Sequence, residues 1–226
     1  MLMLNMMKTA RILLGALAVT ALCAFSADSR VYAASGTLPE DYPLSEPLCV
    51  QGTISRDGGR FSLTQVNGDI SQEEIILNIS DETKILDAVN GFPVAAEAIE
   101  DGETVYAYIS QAMALSLPPQ SHAEVILCQI PADFAVPSYE TVDHSVFLTP
   151  GSTIDKTAFG QVATRRGNTW AVVETTSLLP FLTRNIVGTD SLTSGRKCLL
   201  WPAGSVEDVI VAGKIVIFPE NWQSHG

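Results

Sequence analysis

One pattern of apolar and turn-forming residues occurs twice in this chain, at 77–108 and again, without a gap, 93 residues later at 170–201. Four positions of the pattern are identical in the two segments: Thr83/Thr176, Leu86/Leu179, Val94/Val187 and Gly102/Gly195. A fold constrains buried positions and turn glycines most, because a shift of one residue turns every side chain of a strand to the opposite face. The pattern therefore predicts two copies of one small β-rich unit.

The first copy has the strand order of a small barrel. Pro93 and the alanines after it predict a short helix that ends at Gly102. Apolar alternation predicts strands at 48–55, 60–66, 74–80, 103–110 and 123–130, with glycine turns at 57–59, 67–68, 90–91 and 101–102. In the second copy, a glycine turn is predicted at 150–151. Three strands, a short helix, a strand, a long connection and a last strand is the order of an OB-type barrel. The predicted fold class is all-β with short helices, arranged as two tandem OB-like small β-barrels.

The first 33 residues have the pattern of a secretory signal peptide. A basic start precedes an apolar run at 12–25, and cleavage is expected after Ala33. Lipidation of Cys23 is disfavoured because Leu22 stands where a lipobox needs a small residue. The predicted location is secreted or extracytoplasmic.

The domain boundaries follow from this leader and from a proline-containing segment at 131–138, which is the best linker candidate. The predicted division is a signal peptide at 1–33, an extended leader at 34–46, β-barrel domains at 47–135 and 139–220, and a tail at 221–226. No apolar run of 18 residues follows the signal peptide, so no membrane span is predicted in the mature chain.

The charge of the mature chain disfavours one class of partner. The chain has 13 Lys and Arg and 25 Asp and Glu; without Lys8, Arg11, Arg30 and Asp28 of the signal peptide, 10 and 24 remain, a net charge of −14. Such a surface repels phosphate backbones. Nucleic acid is therefore not expected as a partner.

Three cysteines remain after the signal peptide, and each stands inside an apolar strand pattern: Cys49, Cys128 and Cys198. An odd number cannot form a complete set of intramolecular disulfides. Buried free thiols are therefore the expected state. A Cys49–Cys128 bridge within the first copy stays open as the alternative.

The motifs of known chemistry give no site. No glycine-rich phosphate loop stands between a strand and a helix, and no Gly-x-Ser-x-Gly elbow occurs. A Ser-x-x-Lys motif is not expected either. Asp143-His144-Ser145 holds the residue types of a hydrolase triad, but consecutive residues of a strand point to opposite faces, so no relay is expected. His122, His144 and His225 lack the spacing of metal ligands. We therefore predict no catalytic residue, no metal site and no cofactor.

The most informative surface is the connection at 111–121, "QAMALSLPPQS". The connection between the fourth and fifth strands contacts ligands in OB-type barrels, and this one is apolar. The candidate ligand-binding residues are Met113, Leu115 and Leu117 in the connection, and the rings of Tyr106, Tyr108 and Trp201 on the sheet face. Such a groove would take an extracellular protein, a peptide or a glycan. In the alternative, these side chains cap the barrel or pack against the second copy, because an exposed apolar strip lowers solubility.

Two stretches, "ILNISDETKILDAVNGFPVAAEAIEDGETVYAYIS" and "ALSLPPQSHAEVI", resemble exported bacterial domains of uncharacterised function. The resemblance covers about residues 48–131 well and 140–219 weakly. It implies an OB-type barrel of the kind that sometimes accompanies stalk or copper-amine-oxidase-like amino-terminal domains. It implies no catalytic residue.

These observations favour a secreted, non-catalytic tandem β-barrel protein that binds an envelope or extracellular partner. One alternative is a secreted hydrolase that acts on carbohydrate or peptide through carboxylates gathered from different strands, since sequence does not fix the separation of such groups. A structural spacer or inhibitor module is the other alternative.

Overall fold

The computed structural model describes residues 46–66, 74–148, 158–182 and 187–219, and within them the protein is all-β. The first half of the chain supplies six strands: β1 (Leu48–Asp57), β2 (Arg60–Gln65), β3 (Glu74–Asn78), β4 (Lys84–Asp87), β5 (Thr104–Ala114) and β6 (Gln120–Cys128). The second half supplies five: β7 (Ser138–Phe147), β8 (Ala158–Thr164), β9 (Thr169–Pro180), β10 (Lys197–Val206) and β11 (Val209–Ile217). The helical segments are two 3-10 turns, Ala96–Ala98 and Thr189–Ser191.

The second half forms a closed five-stranded barrel in the order β10-β11-β9-β8-β7. Its β9 and β11 are parallel, and its other neighbours are antiparallel. The first half forms a six-stranded sheet in the order β3-β2-β1-β5-β6-β4, with an additional parallel pairing between β3 and β6. The all-β class predicted from the sequence is therefore confirmed, with one closed small barrel in the second half.

Side chains of β5 alternate between two faces, as the apolar pattern predicted. Val105, Ala107 and Ile109 lie in the core of the first half and are fully buried. Tyr106 and Tyr108 point to the opposite face and belong to a different apolar cluster. The first face holds this sheet together, and the second brings the two halves of the chain into contact.

The two halves repeat the same strand register. Gly52 of β1 lies opposite Val105 of β5, and in the second half Glu140 of β7 lies opposite Cys198 of β10. Leu77 of β3 lies opposite Ser121 of β6, and Trp170 of β9 lies opposite Ile210 of β11. Within these pairs, Cys198 and Trp170 each follow their counterparts, Val105 and Leu77, by the 93 residues of the sequence repeat. The described strands of the segments 77–108 and 170–201 therefore have equivalent strand partners.

The same threonine occurs in both halves, at a bend between β3 and β4 in the first half and at the equivalent bend of β9 in the second. The hydroxyl of Thr83, between β3 and β4, donates to Ala123 O at 2.7 Å and accepts from Ser80 N at 3.0 Å. The hydroxyl of Thr176, within β9, makes the two equivalent hydrogen bonds at 2.6 and 2.9 Å. The identity of this residue in the two copies thus has a structural cause.

Most of one predicted connection belongs to strands. The long connection expected at 111–121 is a hairpin, because β5 continues to Ala114 and β6 begins at Gln120. In the second half, β10 likewise continues to Val206. Both strands are long because each pairs with the strand that follows it.

The predicted helix is reduced to the 3-10 turn at Ala96–Ala98. Pro93, expected to begin that helix, instead forms a bridge with Leu86 of β4. β4 was not among the predicted strands; its parallel pairing is with β6, about 40 residues further along the chain. A partner so distant in sequence leaves no local pattern.

Several predictions lie outside the described residues: the signal peptide at 1–33, the leader at 34–46 apart from Glu46, the turns at 67–68 and 150–151, and the tail at 221–226. The strands of the first sheet lie within 48–128 and those of the second within 138–217. The domain boundaries at 47–135 and 139–220 stay a prediction.

Candidate functional site

One apolar cluster joins the two halves, and we call it the seam. It contains twelve buried residues: Leu86, Ala88, Tyr106, Tyr108, Val125, Leu127, Tyr139, Phe181, Leu199, Trp201, Val216 and Phe218. Leu179 packs against it, and five equivalent pairs of the two halves meet there: Leu86/Leu179, Ala88/Phe181, Tyr106/Leu199, Tyr108/Trp201 and Leu127/Val216. The first four pairs are 93 residues apart, and Leu127 and Val216 are equivalent because they lie opposite Leu86 and Leu179. The same outer face of each half is therefore covered by the other half.

Three of the six predicted binding residues lie in the seam. Tyr106 and Trp201 are 8% exposed, and Tyr108 is 1% exposed. The hydroxyl of Tyr108 donates to Pro137 O, and the ring of Tyr106 lies 5.6 Å from that of Phe134. These rings do not lie open on a sheet face, because they pack against the opposite half, as in the alternative interpretation of the sequence.

The other three predicted residues belong to the β5–β6 hairpin. Met113 is part of β5 and packs, partly buried, against the core of the first half. Leu115 and Leu117 lie at the turn and are 108% and 91% exposed. We call residues 115–119 the apolar tip. The six predicted residues therefore form two separate groups rather than one groove.

Hydrogen bonds on both sides hold the backbone of the apolar tip. Ser116 N donates to Ala114 O at 2.9 Å, and the Ser116 hydroxyl donates to Pro118 O at 2.7 Å. At the far side, Ile76 N of β3 donates to Pro119 O at 2.9 Å. The two exposed leucines are thus carried by a turn that is tied to its own hairpin and to the neighbouring strand.

The equivalent hairpin of the second half, β10–β11, has a different turn. Val206 is 66% exposed there, and Glu207 and Asp208 follow it. By contrast, the segment 110–121 contains no Asp, Glu, Lys or Arg. An uncharged, apolar turn is therefore a property of the first hairpin and not of the repeated fold.

Charged side chains from both halves meet beside the seam. Glu124 accepts hydrogen bonds from Lys197 Nζ at 2.5 Å and from the Tyr139 hydroxyl at 3.2 Å. Lys214 Nζ donates to Val89 O at 2.6 Å. Burial lowers the pKa of Lys214. These contacts supply polar partners across an otherwise apolar contact surface.

A buried glutamate organises the turn between β8 and β9. Glu140 is 1% exposed, and its carboxylate accepts hydrogen bonds from Asn168 Nδ2 at 2.7 Å and from the Thr164 hydroxyl. The indole N–H of Trp170 donates to the same carboxylate at 3.4 Å. The sequence analysis did not single out Glu140; its signal is a charged residue at a core-facing position of a strand. Its partners give it a structural role.

Asp143 and His144 form a local pair, whereas Ser145 takes no part in it. A register shift between Val142 and His144 interrupts the alternation of β7, and Asp143 Oδ2 lies 2.9 Å from His144 Nδ1. Both side chains are exposed, and the Ser145 hydroxyl donates to Leu192 O at 2.7 Å. The register shift thus allows Asp143 and His144 to pair, whereas the Ser145 hydroxyl is hydrogen-bonded to a backbone carbonyl.

Ser194 and Lys197 have the Ser-x-x-Lys spacing of some acyl-transfer enzymes, so the prediction that the chain lacks this motif is wrong. The ammonium group of Lys197 is bound by Glu124 and lies 5.5 Å from the centre of the Tyr139 ring. This lysine therefore serves the contact between the halves.

A shallow depression of about 410 Å³ lies beside the end of β6, lined by Ala98, Glu100, Glu103, Thr104, Gln129 and Ile130. Two backbone N–H groups, of Glu100 and Gln129, donate to the carboxylate of Glu103. The part of the chain that the structure describes holds no group of three or more His, Cys, Asp or Glu that could bind a metal ion.

The three described cysteines are free thiols. Cys49 packs against the seam, whereas Cys128 lies in the core of the first half, so the Cys49–Cys128 alternative is wrong. Burial is the largest cause that raises the pKa of each thiol, Cys198 included, to about 12. These thiols stay protonated and unreactive at neutral pH.

Comparison of the chain with protein-family models, curated proteins and solved structures finds no match. The resemblance to exported domains therefore rests on the residues quoted above. Among the described residues, none of the helical segments has the length and apolar character that crossing a bilayer requires.

Proposed function

We propose that this protein is a secreted, non-catalytic binding protein built from two tandem OB-like β-barrels, and that the apolar tip contacts an envelope or extracellular protein. The observation that carries the proposal is the near-complete exposure of Leu115 and Leu117 on a turn that hydrogen bonds hold in place. The apolar tip occupies the connection between the fourth and fifth strands of the predicted OB order, a connection that contacts ligands in such barrels.

The energetics favour a partner with an apolar pocket. Burying one leucine side chain contributes about 1.5–3 kcal/mol. Because the turn is already tied to Ala114 and Ile76, little backbone order has to be gained on binding. The chain is acidic, so a pocket with a basic rim would be attracted to it.

The test is crosslinking in the native host with a photoreactive residue in place of Ala114, beside the tip. We expect one specific adduct with an extracytoplasmic protein, and we expect Leu115→Ser with Leu117→Ser to abolish it without changing the melting temperature. Val206→Ser, in the equivalent hairpin, is the matched control and should leave the adduct intact. An adduct that persists in the double variant would exclude the apolar tip as the contact.

A deletion of 113–117 is a less suitable test, because Met113 is part of β5 and packs on the core. Such a deletion would combine loss of the tip with loss of stability. The serine substitutions keep the hairpin length and change only the two exposed side chains.

A further inference from the structure

The seam joins the two halves without any strand pairing between them. Within the described strands, every ladder links strands of the same half, and each half has a core of its own. The halves meet through the seam residues and through polar contacts such as Glu124 with Lys197. The seam can therefore open without the loss of a β-ladder.

The seam also has the form of an interface between subunits. The five equivalent pairs that meet there show that both halves use the same outer face. An interface between two copies of one unit, related by a two-fold axis, uses one patch on both sides in this way. Contact of this kind does not require that the two halves belong to the same chain.

One short connection, residues 129–137, links the halves covalently. Its first residue, Gln129, has a φ of 58°, a conformation uncommon for residues other than glycine. Pro131 and Pro137 bias the residues before them towards extended conformations. The prolines thus favour an extended form of the connection at Ile130 and Val136, and a connection extended at Gln129 as well would relieve its left-handed conformation.

We propose that a second copy of this chain is a partner of the seam, through exchange of halves. The first half of each chain then docks on the second half of the other, so the dimer contains two seams. It differs from two monomers in the conformation of residues 129–137, which run from one seam to the other. A short connection holds the halves together at an effective concentration in the millimolar range. The closed monomer therefore prevails at micromolar concentration, and the exchanged dimer forms when the chain refolds at about 1 mM.

The dimer carries two apolar tips, one from each chain. Two tips on one dimer would raise the overall affinity for a partner that presents two binding sites, although each tip would make the same contacts as before. Exchange itself does not depend on what the tip binds, and it can be tested in the absence of that partner.

The first experiment uses two complementary charge variants of the purified mature chain, Glu124→Lys and Lys197→Glu. Each places like charges at one contact of its own seam, whereas an exchanged heterodimer contains one wild-type contact and one with the charges reversed. We expect the variants refolded together at about 1 mM to give at least threefold more dimer, by light scattering, than either refolded alone. Pairing Lys197→Glu with Glu174→Lys, an exposed site in β9, is the control and should give no increase.

If Glu124→Lys fails to fold alone, its recovery in the mixture supports exchange. No recovery, or a dimer yield that does not exceed that of the single variants, overturns the proposal. The wild-type chain provides a second measurement, because its dimer fraction should rise when it is refolded at increasing concentration.

The second experiment separates exchange from ordinary surface association. Gln129→Gly makes the left-handed conformation easy to adopt and favours the closed monomer, so we expect a several-fold smaller dimer fraction. Glu207→Gly makes the same change at a φ of 54° in the β10–β11 turn, outside the connection, and should leave the dimer fraction unchanged. Equal dimer fractions for the two variants would overturn exchange through this connection.

Discussion

Tyr108 and Leu117 are large side chains of the same hairpin, yet the first is 1% exposed and the second 91% exposed. The backbone carbonyl of Pro137 accepts a hydrogen bond from the Tyr108 hydroxyl, and the Tyr108 ring packs against that of Tyr139. Leu117 lies in the turn, beyond the reach of the seam. At the residue scale, the role of an apolar side chain thus depends on what covers it, which its own position in the sequence does not state.

Burial of Cys198 predicts a loss of stability in alkaline solution. Its pKa is about 12 in the folded protein against an ordinary value of 9.0, so the folded state keeps a proton that the unfolded state releases above pH 9. The stabilisation is full below pH 9 and declines as the pH rises towards 12, by up to about 1.4 kcal/mol per pH unit for one thiol.

Urea unfolding of wild type and Cys198→Ala between pH 7 and 11 measures this contribution. We expect the variant to lose less free energy of unfolding than wild type between pH 9 and 11. An identical decline in both proteins would show that the Cys198 thiol does not cause it. Exposed Ser205→Ala is the matched control and should keep the wild-type pH dependence.

At the scale of elements, equivalent positions keep their function even when their chemistry changes. Glu103 and Arg196 stand 93 residues apart and carry opposite charges. The Glu103 carboxylate accepts from Gln129 N, and Arg196 Nη1 donates to Phe218 O at 3.4 Å. Glu103 directly precedes β5, and Arg196 directly precedes β10. In both halves this side chain forms a hydrogen bond with the backbone of the residue that follows the last strand, β6 or β11. A repeat of this kind preserves geometry more strictly than residue type.

The bend held by Thr83 and Thr176 predicts effects of the same sign in the two halves. Valine has nearly the same shape but no hydroxyl, so Thr83→Val would leave Ser80 N and Ala123 O without this partner. Leaving buried polar groups unpaired costs about 1–3 kcal/mol. We expect Thr83→Val to lower the free energy of unfolding by that amount, and Thr176→Val, which is less buried, by somewhat less.

Chemical denaturation of the two single variants and of the double variant tests this expectation. The bends lie in different halves, so the two effects should add. Thr175→Val, at an exposed position of the same strand, is the control and should change stability by less than about 0.5 kcal/mol. A control effect as large as that of Thr176→Val would contradict a special role for the bend.

At the scale of the whole molecule, the seam couples two sheets that have separate cores. Twelve buried residues from both halves lie there, so separating the halves would expose apolar surface on each. The two halves are therefore expected to unfold together in wild type, in one calorimetric transition.

Val216→Asp should uncouple the halves. Val216 is fully buried in the seam, and an unpaired carboxylate at that position opposes contact by several kcal/mol. We expect two resolved transitions, the first at lower temperature than the wild-type transition. Val206→Asp, at an exposed position of the neighbouring strand, should keep one transition near the wild-type temperature. A single transition in Val216→Asp would show that the seam does not govern cooperativity.

The sequence alone determined the repeat, the strand faces and the glycine turns at 57–59, 90–91 and 101–102, because residue types and their alternation can be compared directly in the amino-acid order. Alternation in β5 and the identity of Thr83 with Thr176 are patterns of this kind. Only the tertiary structure decided that Tyr106, Tyr108 and Trp201 lie in the seam, while Leu115 and Leu117 stay exposed. The physical reason is that an outward-facing apolar side chain looks the same in sequence whether solvent or the other half of the molecule lies beside it.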